Sequence, residues 1–332
     1  MRTPLGLLPV STIGSLPKPP ALLEAEMAPL AAQDHVAMRA AQETAVREWL
    51  TIQEELGVNL AVDGEQYRRS MISYFLEGWG CAEIDPDPVW VLDNLYSQRA
   101  VIGRNATTAL PLLADWYRYS AGATVLPLKP TLTGPYTLRD WAFDRHHRDR
   151  RAAVLALAES VRAEVFALVD AGARYIQIDE PAYVTRYDQP EELELAVAGM
   201  KRVCEGVPAD VMLFTHMCYG AFEEVYPRML DLPVHVFCLE LAHVTPKMLS
   251  ILRRHPFPPD RAMGYGVVDS MEPRVETVAE IEGRIRQALE YFSPDQLWLN
   301  PDCGFQALPR DSAIGKLRNL VTAARRIRNS LS

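Results

Sequence analysis

The amino-acid sequence predicts an α/β fold, a single-domain (β/α)8 TIM barrel. Eight apolar runs of strand length alternate with helical segments along a chain of 332 residues, a length that one closed barrel commonly reaches. Apolar β-runs separated by helices are typical of a parallel sheet. A doubly wound open sheet is the alternative, but no G-x-G-x-x-G pattern follows the first run to support it.

The composition is that of a globular protein. Hydrophobic residues make up 48% and charged residues 23% of the chain, which is ordinary for a protein with a packed core. The net charge of −9 disfavours nucleic acid or an anionic membrane as a partner. The longest apolar runs are too short to cross a bilayer. Five scattered cysteines do not make a disulfide framework, so we expect a cytoplasmic location where thiols stay reduced.

The predicted elements follow from two periodicities. Apolar residues recur with helical spacing over residues 34–56, a helix that Gly57 closes as a C-cap, and again over residues 150–170. Shorter helical patterns lie near residues 190–203, 222–230, 246–253, 275–291 and 313–327. The strands centre on Val10, Ala61, Val125, Ile176, Leu213, Val236, Tyr265 and Leu299.

Residues 81–121 are less regular than the rest. Apolar runs at residues 89–92 and 100–104 predict a β-hairpin or another excursion from the main fold. The chain shows no short-period repeat, low-complexity segment or linker. We therefore expect one domain over residues 1–332, with this excursion inserted in it.

Polar side chains gather where the apolar runs end. The carboxyl ends of parallel barrel strands share one rim, and active sites form there. A single acid at a strand end is more often a helix cap or part of a loop salt bridge, so the functional interpretation depends on co-location. The positions are Gly14, Ser15, Asp63, Glu65, Asp179, Glu180, His216, Cys218, Glu240, Asp269, Asp302 and Cys303.

The motif His216-Met217-Cys218 predicts a metal site. Side chains alternate along a strand, so His216 and Cys218 share a face. One imidazole and one thiolate are half of a zinc site, although both residue types are also common in protein cores. Cys303, after the last strand, is the third candidate ligand. The spacing leaves the fourth ligand open between Cys238, Glu240 and His243, with a modest preference for Glu240.

Such a metal would suit thiol chemistry. A site with two thiolates is electron-rich and activates water poorly, but it can bind a substrate thiol, which loses its proton on coordination. The thiolate is then a strong nucleophile at neutral pH. If the substrate is an amino acid, Glu65 and Asp179 can bind its ammonium group, and the Gly14-Ser15 turn can donate N–H groups to its carboxylate.

A series of motifs, in matching order, resembles the C-terminal catalytic domain of cobalamin-independent methionine synthase. The resemblance extends from about Ser11 to Leu320. The H-M-C and N-P-D-C-G motifs with the intervening glutamate are specific together, whereas D-E-P-A alone is weak. The motifs are Ser11-Thr-Ile-Gly-Ser15, Asp63-Gly-Glu65, Leu132-Thr-Gly-Pro135, Gln177-Ile-Asp-Glu-Pro-Ala182, Thr215-His-Met-Cys-Tyr219, Glu240, Tyr265-Gly-Val-Val-Asp269, Pro273-Arg-Val275 and Trp298-Leu-Asn-Pro-Asp-Cys-Gly304.

The resemblance implies a zinc-dependent methyltransferase of methionine biosynthesis, which converts homocysteine to methionine. Carried over by motif, the zinc ligands, which are also the catalytic residues, are His216, Cys218, Glu240 and Cys303. The implied homocysteine contacts are Ile13, Gly14, Ser15, Glu65 and Asp179.

The chain also departs from the family pattern where the methyl donor binds. The family's proton-donating histidine aligns with Met271, and its folate-contacting glutamate aligns with Thr185. We also expect the chain to lack the N-terminal barrel of the full-length enzymes. These departures resemble the shorter members of the family, so we expect methylcobalamin or a corrinoid protein as donor, with methyltetrahydrofolate as the alternative.

Three other functions compete with this one. A related thiol alkyltransferase would act on another thiol, such as coenzyme M. A metal-dependent barrel hydrolase would normally show H-x-H on the first strand and more histidines at strand ends, and the sequence lacks both. A non-catalytic zinc-binding or partner-docking protein would lose its fold, rather than only its activity, when Cys218 is replaced.

Overall fold

A computed structural model describes residues 5–27, 34–92, 95–106 and 111–331. Helices and strands alternate through them. The helices are α1 (Pro20–Met27), α2 (His35–Leu56), α3 (Ser73–Gly78), α4 (Ala114–Ala121), α5 (Pro135–Asp140), α6 (Arg150–Asp170), α7 (Pro181–Val184), α8 (Pro190–Cys204), α9 (Phe222–Val225), α10 (Pro246–Arg254), α11 (Val278–Ala288) and α12 (Arg310–Leu331). The strands are β1 (Ala82–Leu92), β2 (Leu95–Ile102), β3 (Thr131–Thr133), β4 (Phe143–Asp144), β5 (Tyr175–Asp179), β6 (Met212–Met217), β7 (Val236–Leu239), β8 (Ala262–Val268) and β9 (Leu297–Pro301).

The chain divides into two compact units. The first unit contains Met1–Tyr67, Arg118–Pro130 and His235–Ser332, and the second contains Arg68–Tyr117 and Thr131–Val234. Each unit combines parallel strands with helices. The expectation of one domain over the whole chain stays a prediction.

Parallel pairing in the first unit follows the order of the sequence. Strands β7, β8 and β9 are neighbours, with Val236 opposite Ala262 and Met263 opposite Leu297. Two of the predicted strands, at Val10 and Ala61, are reduced to three isolated parallel bridges. The bridges join Val10 to Leu299, Ser11 to Leu60 and Ala61 to Leu128.

Parallel pairing in the second unit is also sequential. Strand β5 lies between β3 and β6, with Gln177 opposite Thr131 on one side and Phe214 on the other. The antiparallel strands β1 and β2, joined in parallel by β4, form a separate three-stranded sheet. The irregular segment of residues 81–121 therefore contains the predicted hairpin.

One predicted strand is displaced. The sequence predicts a strand centred on Val125, but Val125 is 87% exposed and lies in a bend. The pairing begins instead at Leu128, which bridges to Ala61, and continues in β3. Pro127 and Pro130 interrupt this segment, and proline has no N–H to donate to a ladder, which explains why regular pairing starts late.

The two longest predicted helices are confirmed. The side chain of Asp34 accepts hydrogen bonds from the first turn of α2, which ends at Gly57 in a left-handed conformation (φ +82°). Asp149 caps α6 in the same way, as acidic N-caps commonly do. Helix α6 buries residues at helical spacing, among them Val154, Leu157, Val161, Val165 and Leu168.

Within the described residues, no helix has both the length and the apolar character to cross a membrane.

A buried ion pair anchors α12 in the first unit. The ammonium group of Lys316 lies 2.7 Å from Glu276 Oε2, and both side chains are almost fully buried. Glu276 also accepts a hydrogen bond from the backbone N–H of Asp269 at 2.8 Å, so the pair ties the loop after β8 to α12. Removal of one partner would leave a buried charge without its main counter-ion.

We predict that Lys316→Met destabilises the protein by about 3 kcal/mol, because the buried Glu276 carboxylate would lose its nearest counter-ion and keep only Arg284, at 3.4 Å. Urea unfolding would measure the free energy of unfolding. The matched control is Arg326→Met, on the same helix, since Arg326 pairs with Glu282 at the surface. We expect that change to cost less than about 1 kcal/mol. Equal effects of the two substitutions would contradict this account of the pair.

Candidate metal centre

Strand β6 carries the first two predicted ligands. His216 is its fifth residue, and Cys218 follows its last residue; both side chains are buried. The Thr215 hydroxyl donates to the carbonyl oxygen of Ile178 at 2.8 Å, and the N–H of Glu180 donates to the carbonyl oxygen of His216 at 3.1 Å. These two bonds hold the end of β6 against the end of β5.

Three of the predicted ligands come together. His216, Cys218 and Cys303 each offer one ligand atom, and these atoms all lie within 4.8 Å of one another. In the part of the chain that the structure describes, this is the group of His, Cys, Asp and Glu side chains with the spacing of a metal site. An imidazole and two thiols are ligands that Zn²⁺ prefers, so the donor types fit zinc.

The candidates for the fourth ligand differ in their surroundings. Cys238 is buried within β7 and packs against Gly264, whereas Glu240 follows β7 and is half-buried. His243 is exposed, and its Nε2 atom forms a 3.0 Å hydrogen bond with Asp269 Oδ2. Glu240 is not in the group of three, so its role as a ligand stays a prediction.

The predicted turn for the substrate carboxylate lies beside Cys303 in the first unit. Ser15 accepts a 2.7 Å hydrogen bond on its carbonyl oxygen from the N–H of Phe305. A Cβ atom on Gly304 would lie only 2.1 Å from Ser15 Oγ. Only glycine permits this approach, so the loop after β9 and the Gly14-Ser15 turn are packed against each other.

Glu65 belongs to the same group of loops. The Leu16 N–H donates to the carbonyl oxygen of Gly64 at 3.1 Å, and the Glu65 N–H donates to Asp63 Oδ1 at 2.9 Å. The backbone of Glu65 is left-handed (φ +57°), an uncommon conformation for a residue with a side chain and one that often marks functional sites. The backbone of Glu65 is therefore held in a defined conformation, and its side chain is half-buried.

The remaining predicted substrate residues are buried. Ile13 lies in the core of the first unit, next to Gly14. Asp179 ends β5 in the second unit, and its Oδ1 accepts a 2.8 Å hydrogen bond from Gln177 Nε2. The assignment of these residues to homocysteine stays a prediction, as it does for Gly14, Ser15 and Glu65.

Two strand-end acids hold loops rather than facing a ligand. Both oxygens of the fully buried Glu180 carboxylate accept backbone N–H groups at the start of α5, from Tyr136 at 3.0 Å and Thr137 at 2.8 Å. Burial raises the pKa of Glu180 to about 7, although the bonds from Thr137 and Tyr136 lower it.

Asp302 is the second of these acids. Its Oδ1 atom accepts the N–H groups of Leu241 and Ala242, both at 2.9 Å. Burial raises the pKa of Asp302 to about 8 against the effect of these two bonds, and the negative charge of Glu240 raises it further. The sequence identified both acids as rim residues but did not reveal that their partners are backbone N–H groups.

Known proteins of one family are similar to this chain over nearly its whole length. The sequence model of the family described as "Cobalamin-independent synthase, Catalytic domain" matches residues 8–326. A methionine synthase of Saccharolobus solfataricus is 32% identical over 330 residues, which cover 98% of this chain and 97% of that protein. A methionine synthase of Pyrococcus abyssi is 34% identical, with 98% and 95% covered.

A longer relative matches over part of its length. The 5-methyltetrahydropteroyltriglutamate–homocysteine methyltransferase of Nitrosomonas europaea is 31% identical over 337 residues, and the match covers 99% of this chain but 44% of that protein. The names of these relatives agree with the predicted enzyme class, a methyltransferase.

Solved structures show the same fold. A B12-independent methionine synthase from Shewanella sp. W3-18-1, in complex with selenomethionine, superposes with a TM-score of 0.85 at 26% identity, covering 98% of this chain and 99% of that one. A methyltransferase from Methanosarcina mazei has a TM-score of 0.67 at 16% identity, which supports the fold alone. The predicted fold class, an α/β barrel, is confirmed. The resemblance inferred from the motifs is confirmed as well, and this chain belongs to the family of the cobalamin-independent synthase catalytic domain.

Proposed function

We propose that this chain is a zinc-dependent homocysteine S-methyltransferase that forms methionine. The observation that carries the proposal is the meeting of the ligand atoms of His216, Cys218 and Cys303 within 4.8 Å. Membership of the cobalamin-independent synthase family supports it, as does the methionine analogue bound to the Shewanella relative. A reducing cytoplasm, which keeps both thiols available, is part of the proposal.

Four side chains would hold the metal, with Glu240 as the fourth ligand beside the group of three. Bound zinc would lower the pKa of the homocysteine thiol and so supply a thiolate at neutral pH. Because Glu240 is half-buried and follows β7 directly, its carboxylate is at the end of the strand where the substrate thiol must enter. A carboxylate is a harder ligand than a thiolate, which suits a position that a substrate sulfur approaches.

The chain's own residues would orient the amino acid. Glu65 and Asp179 would accept hydrogen bonds from the ammonium group, and the N–H groups of the Gly14-Ser15 turn would donate to the carboxylate. The Gly304 contact with Ser15 keeps this turn next to Cys303. Fixing both ends of homocysteine aims its sulfur at the methyl carbon, and such orientation lowers the barrier of an in-line transfer.

The methyl donor in this proposal is a methyltetrahydropteroylglutamate. The expected methylcobalamin or corrinoid-protein donor gains no support, since the family is described as cobalamin-independent and the Nitrosomonas relative is named for a methyltetrahydropteroyl donor. The sequence argument for a corrinoid rested on Met271, on Thr185 and on the expected lack of the N-terminal barrel, and these departures do not outweigh the match to a cobalamin-independent family over residues 8–326. Family membership likewise gives no support to the hydrolase.

The assay that tests the function supplies homocysteine and 5-methyltetrahydropteroyltriglutamate to the zinc-loaded protein and measures methionine. We expect methionine to form, to stop after zinc is removed with a chelator, and to resume when zinc is returned. Cys218→Ser should remain folded but lose zinc and activity, because one thiolate ligand is gone. A parallel assay with coenzyme M as the thiol distinguishes this function from that of a related thiol alkyltransferase. Methylation of coenzyme M but not of homocysteine would contradict the proposal.

A second prediction concerns recognition of the ammonium group. Glu65→Gln should lower kcat/KM for homocysteine roughly 10- to 100-fold, the value of a charge-assisted hydrogen bond, while zinc content stays unchanged. The matched control is Glu48→Gln, at an exposed position of α2, which should have no effect. The most specific measurement is the ratio of kcat/KM for homocysteine to kcat/KM for 4-mercaptobutyrate, which has the thiol and the carboxylate but no ammonium group. Wild-type protein should prefer homocysteine, and the variant should lose most of that preference; an unchanged preference would exclude Glu65 from this role.

A further inference from the structure

Asp302 occupies a distinctive place in the first unit. It lies between Pro301, the last residue of β9, and Cys303, and only 2% of its surface is exposed. Its N–H donates to the carbonyl oxygen of Val268 at 2.8 Å, which fixes its backbone to the end of β8. The Asp302 backbone therefore has little freedom at the point where the chain reaches Cys303.

The side chain of Asp302 contacts the loop that follows β7. Its Oδ1 atom accepts the N–H groups of Leu241 and Ala242, both at 2.9 Å. These two residues directly follow Glu240. One short side chain therefore joins the strand end that carries Cys303 to the strand end that carries Glu240.

The intervening strand is shaped for this contact. A Cβ atom on Gly266, in β8, would lie 2.1 Å from Asp302 Oδ1, 2.8 Å from the Leu239 carbonyl oxygen and 3.0 Å from the Leu241 nitrogen. Any larger residue at this position would displace either the carboxylate or the loop that it holds. The absence of a side chain at Gly266 thus leaves the space that the Asp302 carboxylate occupies.

We propose that Asp302 is a positioning residue of the metal site, which sets the distance between the backbones of Glu240 and Cys303 through its two hydrogen bonds to Leu241 and Ala242. The inference rests on the proposed function, because it needs Glu240 and Cys303 to bind the same ion. Outer partners that fix the ligands of a metal commonly change its affinity 10- to 100-fold when they are removed. Asp302 would act through the backbone and would not touch zinc itself.

The test measures zinc affinity by competition with a chromophoric chelator, together with urea unfolding of the zinc-free protein. Asp302→Ala removes the acceptor and should weaken zinc binding about tenfold or more. Asp302→Asn keeps an oxygen at the same place and should restore affinity to within about threefold of wild type. It should also keep a wild-type KM for homocysteine.

The matched control is Glu164→Ala. Glu164 is also a buried carboxylate that accepts two consecutive backbone N–H groups, from Leu112 at 2.8 Å and Leu113 at 3.2 Å, but it belongs to the second unit and is not a predicted site residue. Its removal should destabilise the zinc-free protein without changing zinc affinity. This control separates a general loss of stability from a specific loss of metal binding.

Gly266→Ala is the second variant, for the case in which Asp302→Ala does not fold. It keeps the carboxylate but should push Oδ1 away from Leu241 and Ala242, so zinc binding should weaken here too. Zinc affinity unchanged in Asp302→Ala or Gly266→Ala would overturn the inference, and so would an equal loss in Asp302→Asn and Asp302→Ala. A wild-type protein that binds no zinc would instead overturn the proposed function, and this inference with it.

Discussion

Buried backbone N–H groups must find acceptors, and in this protein three buried carboxylates at or after the strand ends accept several of them. Loops that leave a parallel strand have no neighbouring strand to pair with, so their N–H groups would otherwise be buried without partners. Asp302 accepts two such groups from the loop after β7, and Glu180 accepts two from the start of α5. Glu276 accepts one from Asp269, after β8. These bonds determine where the rim loops lie.

The same constraint divides the strand-end acids into two kinds. Asp302 and Glu180 are almost completely buried and accept backbone N–H groups, whereas the buried Glu276 is shared between the Asp269 N–H and the Lys316 ammonium group. Glu65 and Glu240 are half-buried and remain candidates for ammonium and metal. The burial of Asp302 and Glu180 raises the pKa of both carboxyl groups. Asp179 is buried as well and stays a predicted ammonium partner, so acids that look equivalent in the sequence are distinguished by their hydrogen-bond partners and not by burial alone.

Rigid loops matter for a site whose proposed role is to orient a sulfur. Thiol and imidazole ligands bind a metal well only at defined separations, and a substrate held at both ends gains most from a fixed turn. Three features restrict the backbone conformation of the loops near Cys303. They are the close contact of Gly304 with Ser15, the left-handed backbone of Glu65, and the hydrogen bonds from Leu241 and Ala242 to Asp302. Glycine at Gly266 and Gly304 serves the same purpose, since each permits an approach that a side chain would block.

The sequence by itself determined the fold class and most of the elements. Apolar periodicity and caps located α2 and α6, because these signals are local and strong. The alternation of strand side chains predicted that His216 and Cys218 share a face, and motif order identified the family. The prediction of a strand centred on Val125 was wrong. The pairing starts at Leu128 instead, because Pro127 and Pro130 interrupt the segment.

Only the tertiary structure decided what each strand-end acid does. The partners of Asp302 lie 60 and 61 residues away along the chain, and those of Glu180 lie 43 and 44 residues away. Lys316, a buried lysine 40 residues from Glu276, carried no local signal at all. Such pairs are set by how distant segments pack, and a carboxylate at the end of an apolar run has the same sequence signature whether it faces a ligand or a backbone N–H.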